Sequence, residues 1–412
     1  MKIGILSKNY AAKRLFLDKL PFAVYKDIRF YNWHLWKNVH LWFLKTIGKL
    51  KLTPEEAAAR LFYDFKSMIP TGCDVFHFFN TMCHDRKQKW VISIESAVPW
   101  SLEVTRCVEA SNPDMSVLRN NRYIKNAIRE LAHSNCLAMV ALSKCSYNIQ
   151  RKLIAQFPEY SEAIDSKLIT LYPPQSPLVK SVDHKGLTYS SDEQLIFVFI
   201  GRNYYRKGGR DVVEVLSKLH SKYDFKLILI SALDKDEEKY ERSEHDYEDA
   251  VKMIKANSSW IEYYESLPND EVLEKIKKAH VALLPTWMDT FAYSVLECQA
   301  CGTPVISSSL RALTEINGEE LGWLIDVPIN SLNNPILNSR EDFEKFEKIL
   351  QHGLQENVVH VLENRQEVRQ KAERCLTTIA DNYSPESYSK CLELLYQGRV
   401  NEAKRLISLS SE

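Results

Sequence analysis

No stretch of this chain comes near the roughly 18 consecutive apolar residues that a membrane-spanning helix needs, and Met1-Lys2-Ile3-Gly4-Ile5-Leu6 reads as a short strand, not as a secretory signal. Glycine and proline are scarce, 12 and 15 among 412 residues, which excludes collagen-like and low-complexity chains. An excess of one charge is missing too: 54 Lys and Arg stand against 54 Asp and Glu. A whole-protein nucleic-acid binder would be basic, so nucleic acid is not expected as a partner. Nor is there an even, regular set of cysteines. The nine present are irregularly spaced and mostly in apolar surroundings, as expected of reduced thiols in a cytoplasmic protein.

What is present is globular: 45% hydrophobic and 26% charged residues, at a length that suits two domains of ordinary size. Apolar strand-like runs recur at Ile3–Leu6, Val75–Phe79, Trp90–Ile94 and Met139–Leu142. A Pro- and Ser-marked stretch follows, from Tyr172-Pro173-Pro174 to Ser190-Ser191. The rhythm then resumes at Leu195–Ile200, Phe225–Ile230, Ile261–Tyr264, Val281–Leu284 and Pro304–Ser307, with helical periodicity at Arg210–Ser221 and Asp270–Ala279. Strands alternating with helices predict parallel α/β sheets. The expected domains are residues 1–178 and 193–385, with helices over 386–412 crossing back to the first. In such sheets ligands bind beyond the carboxyl ends of the strands.

Two segments of the second half carry chemistry. In "IFVFIGRNYYRKGG" a strand ends at Gly201, Arg202 and Lys207 follow in a turn, and Gly208-Gly209 opens a helix. Cations beside a helix N-terminus suit an anion such as a diphosphate; a solvated basic turn is the alternative. In "DTFAYSVLECQACGTPV", Asp289 to Val305, an acid stands in a loop, a helix starts near Ser294, a second acid follows at Glu297, and Gly302 and Pro304 end the helix. Unpaired amides at a helix start donate to phosphate, and carboxylates accept from sugar hydroxyls. The alternative is acids that only favour the helix dipole or are solvated.

Together these segments resemble the retaining GT-B glycosyltransferases of family 4, the glycosyl transferases group 1. Their hallmark is E-G-F-G-x-x-x-x-E-A-x-A-C-G-x-P-V, together with an upstream G-R-x-x-x-x-K-G, here Gly201, Arg202, Lys207 and Gly208. The resemblance covers at least residues 193–330. It implies two Rossmann-like domains facing across a cleft, with the donor on the second and the acceptor on the first. It further implies that Arg202 and Lys207 hold the diphosphate of a UDP- or GDP-sugar. Glu297 would bind the ribose, Asp289 and the amides of Phe291 and Ala292 the transferred sugar, and Ser294 the distal phosphate. The nucleotide-sugar is a co-substrate, and neither a metal nor another cofactor is called for. The sequence departs from the family pattern at Asp289, one methylene shorter than Glu, and at Thr290 and Ala292, which replace glycines.

The first half departs further. The loop after the first strand, Ser7 to Ala12, lacks the family's glycines, and the strand Trp90–Ile94 ends in Glu95 where a His is common. Glu95 is the candidate acceptor contact or base; a strand-end acid capping a loop is the alternative. Cys298 and Cys301 spell C-x-x-C without a second pair at zinc spacing, and are read as packing. Cys73, His77, Cys83 and His84 lie on and after an apolar strand, where a satisfied core histidine is the expectation.

The first 52 residues carry eleven bases against two acids, a net +9. Within residues 33–52, Trp33, Trp36, Trp42 and Phe43 interleave with Lys37, Lys45, Lys49 and Lys51. Such a segment suits the surface of an anionic membrane, or else a helix with its Trp face in the core. The expected function is sugar transfer to a glycan or glycolipid in surface polysaccharide or glycolipid synthesis, in the cytoplasm or peripherally at the inner face of the plasma membrane. The rivals are a GT-B sugar-nucleotide epimerase or hydrolase, and an inactive binding subunit.

Overall fold

Strands such as Val75–Phe79 and Trp90–Ile94 are buried nearly end to end, as strands covered by helices on both faces must be. The computed structural model describes residues 1–6, 10–33, 63–190, 193–233 and 245–409. The chain forms two units, Met1–Pro174 with Tyr383–Glu412, and Gln175–Asn382.

The first unit contains β1 Lys2–Ile5, β2 Val24–Asp27, β3 Asp64–Phe65, β4 Val75–Phe79, β5 Met82–Cys83, β6 Trp90–Ile94, β7 Cys136–Ala141 and β8 Leu168–Thr170. Six of them make a parallel sheet in the order β2-β1-β4-β6-β7-β8, and β3 pairs with β5. The expected loop from Ser7 to Ala12 is shorter than the sequence suggests, because a helix already runs over Tyr10–Leu15; residues 7–9 lie outside the described ones.

The last two helices, Pro385–Tyr396 and Val400–Leu409, belong to this first unit. Tyr396 reaches the middle of β4, where its hydroxyl lies 2.6 Å from His77 Nδ1, while His77 Nε2 lies 2.8 Å from Ser93 Oγ. His77 is therefore a core histidine with both nitrogens bonded, and burial pushes its pKa down to about 3. His84 is bonded differently, through Nε2 to the buried Asp64 at 2.8 Å.

The second unit contains β9 Leu195–Ile200, β10 Phe225–Ile230, β11 Ile261–Tyr264, β12 Val281–Leu284, β13 Val305–Ser308 and β14 Trp323–Ile325. All run parallel in the order β11-β10-β9-β12-β13-β14. Chain order thus runs outward one way from β9 to β11 and then restarts on its other side at β12. The reversal between β9 and β12 is the topological switch point, where doubly wound sheets bind ligands. The helices Arg340–Glu363 and Arg365–Asn382 close the unit, the former started by a capping box between Ser339 and Asp342.

Candidate functional site

The loops that leave β9 and β12 at this switch point are the two singled out from sequence. Gly201 follows β9 directly. A tight turn comes next, with Lys207 N donating to Asn203 O at 2.9 Å and Gly208 N to Tyr205 O at 2.9 Å. Gly208 has φ +81, and a Cβ there would stand 2.1 Å from the carbonyl oxygen of Pro285, the first residue after β12. Only glycine lets the two loops touch at this point. Trp287 N then donates to Arg206 O at 2.9 Å, and Thr286 Oγ1 to the same carbonyl at 3.1 Å. Below the loop, Trp287 Nε1 donates to the buried Asp211 at 2.8 Å, and Gln351 Nε2 donates to its other oxygen at 3.0 Å. Burial raises the pKa of Asp211 despite the opposing charge of Arg210 and these two donors.

The consequence of this lacing is an ion pair between Lys207 Nζ and Asp289 Oδ2, with side chains only 16% and 12% exposed. Asp289 Oδ1 accepts from Ala292 N at 3.1 Å. Burial by itself would raise the carboxyl pKa, but the charge and hydrogen bond of Lys207, the charge of Arg206 and a backbone donor at Thr290 outweigh it and hold the group below the ordinary aspartate value.

Ala292 stands just before the helix Tyr293–Ala300, with φ 64 and ψ 66 and no side-chain cap. This left-handed geometry explains why glycine suits the position, and alanine holds it at some strain. The first-turn amides of the helix have no carbonyl one turn back within it, and Val295 N donates to Ala292 O at 3.0 Å instead. Ser294, in that first turn, lines a small cavity with Ile200 and Leu284, the last residues of β9 and β12. Glu297 lies on the same helix and is 7% exposed. Thr290 is half-buried, while Phe291 is buried, its ring 5.0 Å from that of Tyr293.

The helix ends where the sequence says it should. Gly302 takes φ 62, and its carbonyl accepts from Lys185 Nζ at 2.7 Å, an ammonium that also reaches Ala279 O and Thr303 Oγ1 at 2.8 Å each. Burial of Lys185 pushes its pKa down to about 8. Cys298 and Cys301 are buried here with their thiol pKa values raised by burial, so they pack.

Arg202 is exposed. It lines an open cleft of about 410 Å³ with Gly201, Ser231, Glu265, Ser266 and Leu267 at the ends of β9, β10 and β11. The last four were not found from sequence, although the ends of predicted strands were the signal that could have named them. Glu95 lies in the first unit, paired with Asn80: Glu95 N donates to Asn80 Oδ1 at 3.2 Å and Asn80 Nδ2 donates to Glu95 Oε1 at 3.3 Å. The Trp- and Lys-bearing segment 34–52 lies outside the described residues; Trp33, at its edge, is exposed. No described helix is long and apolar enough to cross a membrane.

Comparison with known proteins gives the site its context. Residues 187–353 match the profile of the family "Glycosyl transferases group 1". An uncharacterized glycosyltransferase of Methanocaldococcus jannaschii is 27% identical over 141 residues, 34% of this chain and 33% of that protein. The match therefore spans about a third of that curated relative. Among solved structures, Anabaena HepE in complex with UDP superposes with a TM-score of 0.53 at 11% identity, over 95% of this chain and 98% of that one. Its complex with UDP-glucose aligns over the whole of both chains with a TM-score of 0.51. Sucrose-phosphate synthase of Thermosynechococcus elongatus gives 0.50 at 14% identity, over 79% of this chain and 73% of that one. At these identities the likeness is one of fold, and the fold is GT-B.

Proposed function

We propose that this chain, a GT-B glycosyltransferase with a group 1 domain, moves a sugar with retention from a nucleotide-sugar to a glycan or lipid-linked saccharide, in the synthesis of surface polysaccharide or glycolipid. The observation that carries the reading is the Lys207–Asp289 pair at the switch point, set beside the start of the helix Tyr293–Ala300.

In this reading the diphosphate lies between the two loops. Lys207 and Arg202 neutralise its charge, and the amides after Asp289 donate to its oxygens. Asp289 then turns from Lys207 to the hydroxyls of the sugar being transferred, and Glu297 takes the ribose. The nucleobase is assigned to the cleft lined by Arg202, Ser231 and Leu267. The bond from the anomeric carbon to the phosphate oxygen breaks while the acceptor oxygen attacks from the same face. The acceptor's proton passes to the departing phosphate oxygen, so no covalent sugar–carboxylate intermediate is formed. The enzyme's contribution is positioning and leaving-group stabilisation, with Glu95 on the acceptor side. UDP is the first nucleotide to try, because HepE is a fold relative seen with UDP and UDP-glucose. In this reading the reaction runs in the cytoplasm, at its membrane face when the acceptor is lipid-linked.

The test is nucleotide release from UDP-, GDP- and ADP-sugars with and without membrane extract, on wild type and Lys207→Ala. Release from one donor that rises with extract and disappears in the variant is expected, and EDTA should leave it unchanged. Release that ignores extract would point to a hydrolase or epimerase. No release and no nucleotide binding would point to an inactive subunit.

A further inference from the structure

Five large apolar side chains are exposed along one edge of the first unit: Phe22, Val24, Trp33, Met68 and Ile69, each 41–61% exposed. Backbone pairing brings them together. β2, which begins at Val24, is the outermost strand of its sheet. The chain beyond it pairs with a second segment, Trp33 N donating to Lys66 O at 2.7 Å and Met68 N to Tyr31 O at 3.0 Å, around the bridge between Asn32 and Ser67. Lys26 fastens the second segment to β2, its ammonium donating to Thr71 O at 2.7 Å. Apolar side chains gathered on an edge in this way mark a contact surface, whereas single scattered ones do not.

The charges around them select the partner. Lys26 Nζ bonds a carbonyl and lies over the ring of Tyr31, so it keeps its charge. Lys66 is exposed. The one acid of β2, Asp27, is already paired with Arg29. The edge thus offers apolar and aromatic groups among cations, within the part of the chain whose first 52 residues carry a net +9. A second copy of the chain would bring like charges together. An anionic lipid leaflet meets both features, taking the apolar groups at its acyl boundary and the cations at its headgroups.

We propose that this edge, residues 22–33 with 66–71, is the surface the protein lays on an anionic membrane. As a lipid-binding edge it stands apart from the donor chemistry; only its use in reaching a lipid-linked acceptor rests on the proposed transfer.

The experiment is co-sedimentation with vesicles of phosphatidylcholine alone and of phosphatidylcholine with phosphatidylglycerol, at low and high salt. It compares wild type, Phe22→Ser/Ile69→Ser and Lys66→Glu. The wild type should bind the anionic vesicles, lose them at high salt, and bind neutral ones weakly. Each variant should partition about tenfold less, while melting and shifting with UDP like the wild type. Equal binding by wild type and variants, or no preference for anionic lipid, would overturn the proposal. So would a wild-type dimer that the variants dissociate without any vesicle binding, which would make the edge a self-association surface. A wild type that binds vesicles but does not respond to any nucleotide would sink the transfer reading and leave this one standing.

Discussion

Lys207 donates to the carboxylate of Asp289 across 82 residues of sequence, and neither group is well solvated. Removing Lys207 leaves a nearly buried carboxylate without its ion-pair partner. Lys207→Ala should therefore destabilise the second unit by about 3 kcal/mol, and Lys207→Ala/Asp289→Ala should recover at least about 1 kcal/mol of that. Urea denaturation of the set decides the matter, and strictly additive losses would mean the pair is uncoupled. Because the folded pKa of Asp289 is depressed, its contribution is complete above the unfolded aspartate pKa of about 3.9 and is lost as pH falls through the lower folded value.

Ala292 holds a left-handed backbone that glycine adopts freely. Ala292→Gly should raise the unfolding free energy by about 0.5–1 kcal/mol, net of the extra freedom glycine gives the unfolded chain. A midpoint lower than wild type in chemical denaturation would refute the strain argument.

Gly208→Ala should do the reverse and more. The added Cβ meets the Pro285 carbonyl at 2.1 Å in a conformation with φ +81, and this contact is what draws the two site loops together. A loss of about 2–3 kcal/mol is expected, with weakened UDP binding measured by calorimetry. Wild-type affinity in the variant would show that the loops are positioned by other contacts.

His77 predicts how the first unit meets acid. It is buried and neutral, with a folded pKa of about 3 against about 6.5 unfolded. Below pH ~6.5 the unfolded state binds a proton that the folded state refuses, so stability falls as pH falls, by up to about 1.4 kcal/mol per unit, until about pH 3. Above pH ~6.5 the group contributes no slope. His77→Gln, lower in stability at neutral pH, should show a flatter acid limb in urea midpoints between pH 6.5 and 4.5; an unchanged limb would exonerate this histidine.

Much of the second unit was legible because its strands are fully buried apolar runs, and Leu195–Ile200, Phe225–Ile230, Ile261–Tyr264 and Val281–Leu284 fall where the pattern puts them. The strands it missed are the edge strands β2, with Lys26 and Asp27 among its four residues, β8 and β14, three residues each, and the two-residue β3 and β5; edge and very short strands need no continuous apolar run. The motifs located both site loops. They could not reveal the contact of Gly208 with Pro285, the anchoring of Trp287 by Asp211, or the cleft at Ser231 and Leu267, because these depend on which strands become neighbours.

The hydrogen bond between Tyr396 and His77 also bears on the order of synthesis. The strand Lys2–Ile5 of the first unit is translated before the second unit, yet Tyr388, Leu392 and Tyr396, buried parts of the same unit's interior, are translated only after all of Gln175–Asn382. The first unit must therefore wait, its sheet lacking that cover, until Gln175–Asn382 has been translated. The unit begun first is the last to be completed, and the unit inserted within it can finish earlier.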